Sequence, residues 1–228
     1  MKEQNYKKRG KSFLVFGVGL LIAFFVFTIL IQTIDVKPLG VNGTQIGFAT
    51  LNTRFHSLTG VNWSLYNITD WLGLVPVFCC MFFGFFGFFQ LIKRKSLLKV
   101  DGDIIILGIH YVIVISGYLI FEMIPINYRP VLINGFIEAS YPSSTTLLVL
   151  GVMPTVVFQI NRRMKNAKIK NIISVIIILF SAFMVVGRLI SGVHWVTDIV
   201  GSVLLSMGLF YIYKGTVFLV LKGDSYGI

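Results

Sequence analysis

Residues 71–92 read WLGLVPVFCCMFFGFFGFFQLI, a run of 22 residues without a charged side chain. About 20 apolar residues are enough for an α-helix to cross the hydrocarbon core of a bilayer. Hydropathy marks five further runs of similar length, and we interpret all six as membrane-spanning helices. The predicted spans are residues 12–34, 71–92, 104–123, 143–160, 169–187 and 196–221.

The composition of the whole chain agrees with this interpretation. Of its 228 residues, 56% are apolar and only 13% are charged, whereas an average soluble domain has about 25% charged residues. The deficit excludes an ordinary soluble protein, and the apolar excess excludes a disordered one. The sequence therefore predicts an all-α polytopic membrane protein, a six-transmembrane-helix bundle that forms a single membrane domain over residues 1–228. Cys79 and Cys80 are adjacent inside an apolar run, which is typical of buried thiols.

The basic residues are divided unevenly between the two ends of the predicted bundle. Sixteen of the 20 Lys and Arg residues flank the spans on one side. Because cytoplasmic loops are enriched in Lys and Arg, the asymmetry predicts a multi-pass protein of the cell membrane with both termini in the cytoplasm. The net charge of +11 then reflects topology and contact with membrane phospholipids, not a nucleic-acid partner. The four basic residues on the outward side are Lys37, Arg54, Arg129 and Arg188.

The longest predicted connection is the outward loop over residues 35–70. Connections of this length in a compact bundle are usually functional or have structure of their own. Two interpretations stay open, a lid over a substrate entrance and a packed cap, and we favour the cap.

Three polar segments meet on the outward side of the predicted bundle. Arg129 follows the third span, residues 141–145 (YPSST) open the fourth, and residues 187–198 (GRLISGVHWVTD) join the fifth to the sixth. Ionisable side chains at membrane depth are unfavourable and usually functional. The two arginines, the histidine and the aspartate of these segments therefore predict a functional site at the outer face.

The YPSST segment has the pattern of an anion-binding helix start. Pro142 suits the first position of a helix, because its missing N–H leaves no hydrogen bond unmade there. The next backbone N–H groups, together with the positive end of the helix dipole, would then face an anion. These N–H groups belong to Ser143, Ser144 and Thr145.

The other two segments supply side chains for phosphate chemistry. The guanidinium groups of Arg129 and Arg188 present planar sets of donors that match phosphate oxygens. His194 and Asp198 stand four residues apart, the spacing of one helical face. Asp198 could then accept the Nδ1 proton of His194 and leave Nε2 as a nucleophile or base. Singly, each residue also fits an ordinary role as a snorkelling arginine, a helix cap or a structural hydrogen bond, but their coincidence at one depth favours a site.

The order Arg-Pro, then Pro-Ser-x-x at a helix start, then Arg-x5-His-x3-Asp resembles the type 2 phosphatidic acid phosphatase family of integral membrane lipid phosphatases. The resemblance covers the third to sixth spans, roughly the C-terminal 60% of the chain. It implies that His194 attacks phosphorus and forms a phosphohistidine, while Asp198 orients the ring. It also implies that the phosphoryl oxygens are held by Arg129, Arg188 and the backbone amides of Ser143 and Ser144.

Three positions depart from the motifs of that family. Glu122 replaces the lysine that the family has seven residues before its first-motif arginine, and Thr145 replaces the histidine that ends the second motif. Gly187 stands where the third motif opens with serine. The anion-binding residues and the nucleophile are therefore kept, whereas the lysine and the usual general acid are replaced.

The loss of the general acid bears on the leaving group. A threonine hydroxyl is too weak an acid to protonate an alkoxide, because alcohols resemble water, whose pKa is near 15.7. A lipid monophosphate that leaves from a diphosphate needs the proton less, since its second pKa is about 6. This comparison favours a prenyl diphosphate, such as undecaprenyl diphosphate, over a phosphatidate-like monoester. Alternatively, Glu122 or Glu138 supplies the proton in place of the missing histidine.

These features together predict a membrane lipid phosphatase that hydrolyses a lipid phosphate or diphosphate at the outer face. Two other classes stay open, a phosphotransferase that moves a phosphoryl or headgroup to another lipid or glycan, and a non-catalytic phospholipid-binding relative. Retention of His194 and Asp198 argues against the binder, and Glu122 favours a substrate with a cationic group. Neither a metal nor another cofactor is implied, because the outward side lacks a cluster of ligand residues.

Overall fold

A computed structural model describes residues 2–221 of the chain. Within this range the chain forms eight α-helices, two short 3₁₀ turns and no β-strand. Six segments are long and apolar enough to cross a membrane, which confirms the prediction of an all-α six-span protein. Lys222, one of the basic residues assigned above to the cytoplasmic side, lies outside the described residues. The helices are α1 (Lys2–Thr33), α2 (Ala49–Thr59), α3 (Trp63–Leu72), α4 (Leu74–Arg94), α5 (Gly102–Met123), α6 (Ser144–Arg163), α7 (Ala167–Ile190) and α8 (Val196–Val220).

The second candidate span is longer than the apolar run that marks it in the sequence. Helices α3 and α4 follow each other with only Gly73 between them, and together they make one candidate span, Trp63–Arg94. Asn62 caps α3, because its side chain accepts a hydrogen bond of 3.0 Å from the backbone N–H of Leu65. Hydropathy misses α3 because its sequence, WSLYNITDWL, mixes polar with apolar residues.

The segment between α1 and α3 covers one end of the bundle. Helix α2 lies against the start of α8, where Asn52 Nδ2 donates to Thr197 Oγ1 over 3.0 Å. His56 Nε2 lies 3.1 Å from the backbone oxygen of Gly192, in the connection between α7 and α8. Most of residues 35–70 are therefore helical, and this segment packs directly over the connection between α7 and α8.

Helices α1 and α8 form an antiparallel pair in close contact. A Cβ added to Gly17 would lie 2.9 Å from the backbone oxygen of Gly208, and one added to Gly215 would lie 2.9 Å from that of Gly10. On each helix the two glycines are seven residues apart, and each faces a glycine of the other helix. The two backbones are therefore in direct contact at these two points. Small residues at such crossings let helices approach closely in membranes, where packing drives association.

Tyr141 joins the start of α6 to α1 and α8. Its ring is stacked on that of Phe24 with 6.0 Å between centroids, and its hydroxyl lies 2.8 Å from Thr28 Oγ1. A Cβ on Gly201 would lie within 2.3 Å of the same ring, so α8 needs a glycine there. These contacts fix the position of the start of α6 relative to α1 and α8.

Buried polar pairs connect the helices further from this end. His110 on α5 has Nε2 2.8 Å from the backbone oxygen of Gly151 on α6, and Gln159 Nε2 donates to Tyr213 on α8 over 2.8 Å. Buried polar groups need such partners because water is not available to them. Helix α6 is thereby held against both α5 and α8, and its first turn stands at the same end as the last turns of α5 and α7.

Candidate active site

His194 lies in the short connection between α7 and α8. Gly192 has φ +70°, and a Cβ there would lie 1.7 Å from the backbone oxygen of Gly60, so only glycine fits this turn. Helix α8 begins at Val196, two residues after His194. The expectation that His194 and Asp198 share one helical face is therefore wrong, because His194 lies in the connection before the helix and only Asp198 lies within it.

Asp198 belongs to the first turn of α8 and is fully buried. Its Oδ2 accepts a hydrogen bond of 2.7 Å from the backbone N–H of Trp195, which caps the helix start. The indole N–H of Trp195 in turn donates to the backbone oxygen of Tyr128 over 2.8 Å. The carboxylate is thus fixed by the helix start, independently of the histidine.

Ser140 stands between His194 and Asp198. The distance from His194 Nδ1 to Asp198 Oδ2 is 3.6 Å, too long for the direct hydrogen bond expected from the spacing. Instead, Ser140 Oγ donates to Asp198 Oδ2 and lies 3.3 Å from His194 Nδ1. Ser140 could not be predicted from the sequence, although it lies two residues before Pro142 of the second motif, because a lone serine in a loop carries no pattern.

Arg188, in the last turn of α7, faces the other side of the imidazole. Only 1% of its surface is exposed, and its Nη2 lies 3.4 Å from His194 Nε2. Its Nη1 lies 3.5 Å from Asp70 Oδ1, and its guanidinium carbon is 4.8 Å from the ring centroid of Tyr66. Its Nε is buried and has no hydrogen-bond partner among the described residues. Asp70 and Tyr66 both belong to α3, the helix that sequence analysis did not predict.

Arg129 reaches the same place from the loop between α5 and α6. Its Nη2 pairs with Glu138 Oε2 at 3.2 Å, and its Nε donates to the backbone oxygen of Ala139 over 3.3 Å. Its guanidinium carbon lies 5.9 Å from the centroid of the Tyr66 ring, which Arg188 also contacts. Within residues 2–221, Arg129 Nη1 is buried without a hydrogen-bond partner. The two predicted arginines therefore meet beside one tyrosine, each with an unused donor.

The start of α6 differs from the expectation in two ways. The helix begins at Ser144, so Pro142 lies before the cap residue Ser143 instead of at the first helical position. The backbone N–H of Ser143 is not open to an anion, because it donates to the backbone oxygen of Asp198 over 3.2 Å. The N–H groups of Ser144 and Thr145 belong to the first turn, where the helix itself offers no acceptor.

Thr145 and Glu122 do not join the hydrogen-bonded cluster in the described part of the chain. Thr145 is buried, and its Cγ2 lies 3.3 Å from the point that a Cβ on Gly73 would occupy. Glu122 is exposed in the last turn of α5. It lies close enough to Arg129 and Glu138 to interact electrostatically with both. Among the candidate acids in the described residues, Glu138 is the one that pairs directly with Arg129.

The electrostatic environment of His194 favours the neutral imidazole. Burial lowers the pKa of His194 well below its ordinary value, and the positive charges of Arg129 and Arg188 lower it further. The backbone at Ser140 opposes this effect weakly. The neutral ring presents its Nε2 lone pair to Arg188 Nη2 at 3.4 Å, and the charge of Arg129 also acts on the ring.

Comparison with known proteins identifies the fold and the family of the chain. No curated protein matches the chain in sequence. Among solved structures, the chain resembles the crystal structure of a transmembrane PAP2-type phosphatidylglycerolphosphate phosphatase from Bacillus subtilis, with a TM-score of 0.65 and 17% identity over 91% of this chain and 98% of that one. This likeness shows a common fold. The model of the PAP2 superfamily matches residues 77–220, more than half of the sequence and all three motif segments, so the chain belongs to the PAP2 superfamily.

Proposed function

We propose that the protein hydrolyses a lipid phosphate or lipid diphosphate in the membrane through a phosphohistidine on His194. The observation that carries the proposal is the surroundings of His194 Nε2, which faces Arg188 Nη2 at 3.4 Å beside Arg129. Planar guanidinium donors hold phosphoryl oxygens in pairs. A phosphorus atom bound there would lie next to an unprotonated nitrogen, the requirement for nucleophilic attack.

The first chemical step transfers the phosphoryl group to the enzyme. The Nε2 lone pair of His194 forms the N–P bond while the P–O bond to the leaving group breaks, and the leaving group departs with the electron pair. Arg129 and Arg188 stabilise the charge on the phosphoryl oxygens, and their buried positions strengthen that interaction. The N–H groups of Ser144 and Thr145 support the same role. Water then attacks phosphorus and releases inorganic phosphate and the free imidazole.

The leaving group is the second part of the proposal. Thr145, which stands where relatives carry a histidine, offers a hydroxyl that is too weak an acid for an alkoxide. A substrate that releases a lipid monophosphate, such as a prenyl diphosphate, needs no strong acid and fits this site best. Glu122 and Glu138 are the candidates for a substitute acid, and Glu122→Gln separates the two accounts. A large loss of kcat with unchanged binding in that variant would identify Glu122 as the acid and remove the preference for diphosphates.

The location of the reaction follows from charge. The arginine pair stands at the end of the bundle that carries four of the 20 basic residues. The positive-inside rule supports an outward-facing site with both termini in the cytoplasm. Accessibility labelling of Lys93 and Lys95 from the outside, if it occurred in intact cells, would contradict this orientation.

A second candidate function is transfer of a headgroup or phosphoryl group to another lipid or glycan. The observation that favours it is the number of carboxylates around the arginines. Asp70 pairs with Arg188, Glu138 pairs with Arg129, and Glu122 lies nearby. A zwitterionic substrate would satisfy such a site, because its cation could face the carboxylates while its phosphate faces the arginines.

The test is an assay of the purified protein in detergent against lipid monophosphates, lipid diphosphates and zwitterionic phospholipids. We expect phosphate release from a diphosphate, and an acid-labile phosphoryl label on the protein that is lost in His194→Ala. Transfer products without phosphate release would instead support the transferase. Wild-type turnover by His194→Ala would contradict the phosphohistidine, and binding without any turnover would support a non-catalytic relative.

A further inference from the structure

We propose that Ser140 is a positioning residue, which links His194 to Asp198 and fixes the imidazole in the tautomer with its proton on Nδ1. The inference deepens the proposed function, because it adds a residue to the same site. Ser140 lies in the loop between α5 and α6 and is 1% exposed. Its backbone N–H donates to the oxygen of Asn127 over 2.9 Å, which holds it in place.

The hydroxyl of Ser140 has one proton, and its neighbours decide where that proton points. The carboxylate of Asp198 can only accept, so Ser140 Oγ donates to Oδ2. Toward His194 Nδ1, 3.3 Å away, the same oxygen can then only accept. The imidazole must therefore carry a proton on Nδ1. Asp198 acts on the ring through the serine, since the direct distance is 3.6 Å.

The opposite side of the ring leads independently to the same tautomer. Arginine has donors and no acceptor. With Arg188 Nη2 3.4 Å from Nε2, that nitrogen must present its lone pair. Two unrelated neighbours thus agree that Nδ1 is protonated and Nε2 is bare, which is the form that can attack phosphorus.

The hydrogen bonds that link His194 through Ser140 to Asp198 would stabilise the imidazole during the reaction. When the Nε2–P bond forms and the bond to the leaving group breaks, the imidazole acquires a positive charge in a buried site. The Nδ1–H then donates more strongly to Ser140, whose own proton moves toward Asp198. The charge of Asp198 is transmitted to the ring without direct contact. Loss of the hydroxyl should therefore slow the chemistry and leave substrate binding almost unchanged.

The tautomer can be measured without any turnover. The chain contains only three histidines, His56, His110 and His194. Nitrogen-15 NMR of the protein labelled at histidine distinguishes protonated from bare ring nitrogens, and His194→Ala identifies the signal. We expect a protonated Nδ1 and a bare Nε2 for His194 in the wild type. In Ser140→Ala, Arg188 still requires a bare Nε2, so we expect the tautomer to be kept and the Nδ1 signal to shift, because the Nδ1 proton loses the hydroxyl that accepts it. The matched control is Ser181→Ala, which removes a buried serine hydroxyl on α7 that donates only to a backbone oxygen.

The kinetic readout separates positioning from structure. Residues that orient metal-ligating histidines typically affect activity by about 10–100-fold, and we expect an effect of the same order for a residue that orients a nucleophilic histidine. We expect Ser140→Ala to lower kcat by that factor with unchanged KM, and Ser140→Thr, which keeps the hydroxyl, to restore most of it. If Ser140 acts through Asp198, the double variant Ser140→Ala/Asp198→Asn should be no slower than Asp198→Asn alone.

Three results would overturn the assignment of Ser140. They are a wild-type His194 with its proton on Nε2, a Ser140→Ala spectrum identical to the wild type, and fully multiplicative losses in the double variant. A protein that turns over none of the lipid phosphates but shows the expected tautomer would refute the proposed function alone. The two proposals therefore fail separately.

Discussion

At the scale of single residues, the site combines side chains that match the family motifs with others that depart from them. Arg129, Arg188 and His194 lie close together, as the motifs predict, whereas Thr145 replaces the histidine of the second motif. The motifs predicted the first three from sequence alone. Ser140, Asp70 and Tyr66 could not be predicted, because they reach the site through the folding of a loop and of α3. Chain spacing gives no sign of such contacts.

The first prediction concerns Thr145. Thr145→His should increase the rate with lipid monoesters, because general acid catalysis typically contributes about 10²–10⁴-fold. The rate with diphosphates should change little, since the departing monophosphate needs no donor. Thr145→Ala serves as the control and should be nearly neutral with diphosphates. The ratio of kcat values for the two substrates measures the effect, and an equal gain for both would contradict the leaving-group argument.

The second prediction concerns the protonation of His194. Burial and the charges of Arg129 and Arg188 hold its pKa well below the ordinary value of 6.5. The nitrogen-15 shifts of His194 should therefore stay constant between about pH 8 and about pH 6, where a free histidine begins to titrate. In the same range the unfolded chain gains a proton that the folded chain does not. This group thus makes the fold less stable as the pH falls. Titration of His194 near 6.5 would show that it is not buried among cations.

At the scale of elements, hydropathy predicts the number of membrane spans, six, but neither the ends of the spans nor the helices between them. Hydropathy missed helix α3 because polar residues interrupt its apolar pattern. It therefore also missed Asp70 and Tyr66, the two residues of α3 that contact Arg188. The predicted helical pairing of His194 with Asp198 failed for a local reason. Gly192 adopts a positive φ and turns the chain, so that α8 starts only after the histidine. A spacing of four residues indicates a shared face only where the helix already exists.

The third prediction tests this turn. Gly192→Ala should lower both the thermal stability and kcat, because its Cβ would lie 1.7 Å from the backbone oxygen of Gly60 and its φ is +70°. The left-handed conformation alone destabilises a non-glycine residue by about 1–2 kcal/mol. Gly135→Ala is the matched control, since Gly135 has φ +84° in open space. Equal unfolding temperatures for the two variants would show that contact with Gly60 does not matter.

At the scale of the whole molecule, the packing of α1 against α8 holds in place the helix that carries Asp198. Helix α8 carries Asp198 in its first turn and meets α1 along its length. The facing glycines let the two backbones touch, whereas the sequence alone predicted six spans without saying which of them pair. The family resemblance extended only over the last four spans. The partner of α8 therefore had to come from the structure.

The fourth prediction tests that pairing. Gly17→Leu should lower the unfolding temperature in detergent, because its side chain would enter a space only 2.9 Å from the backbone of Gly208. Overpacking of this kind typically destabilises by about 1–3 kcal/mol. Gly19→Leu is the control, since nothing lies within 4 Å of its added Cβ. A similar decrease in both variants would mean that α1 and α8 do not rely on close approach.

The carboxylates that hold the arginines have a consequence for product release. Asp70 pairs with Arg188 and Glu138 pairs with Arg129, so under the proposed function these carboxylates would compete with a departing phosphate for the guanidinium groups. Free phosphate should therefore be a weak inhibitor. Asp70→Asn should make it several-fold stronger, measured as a lower inhibition constant. The control is Asp35→Asn, because Asp35 lies at the same end of the bundle and pairs with Lys37 at 2.8 Å, not with an arginine of the site. An unchanged inhibition constant would mean that Asp70 and the product do not compete. A lower constant would mean that the Asp70 carboxylate helps to displace the product from Arg188.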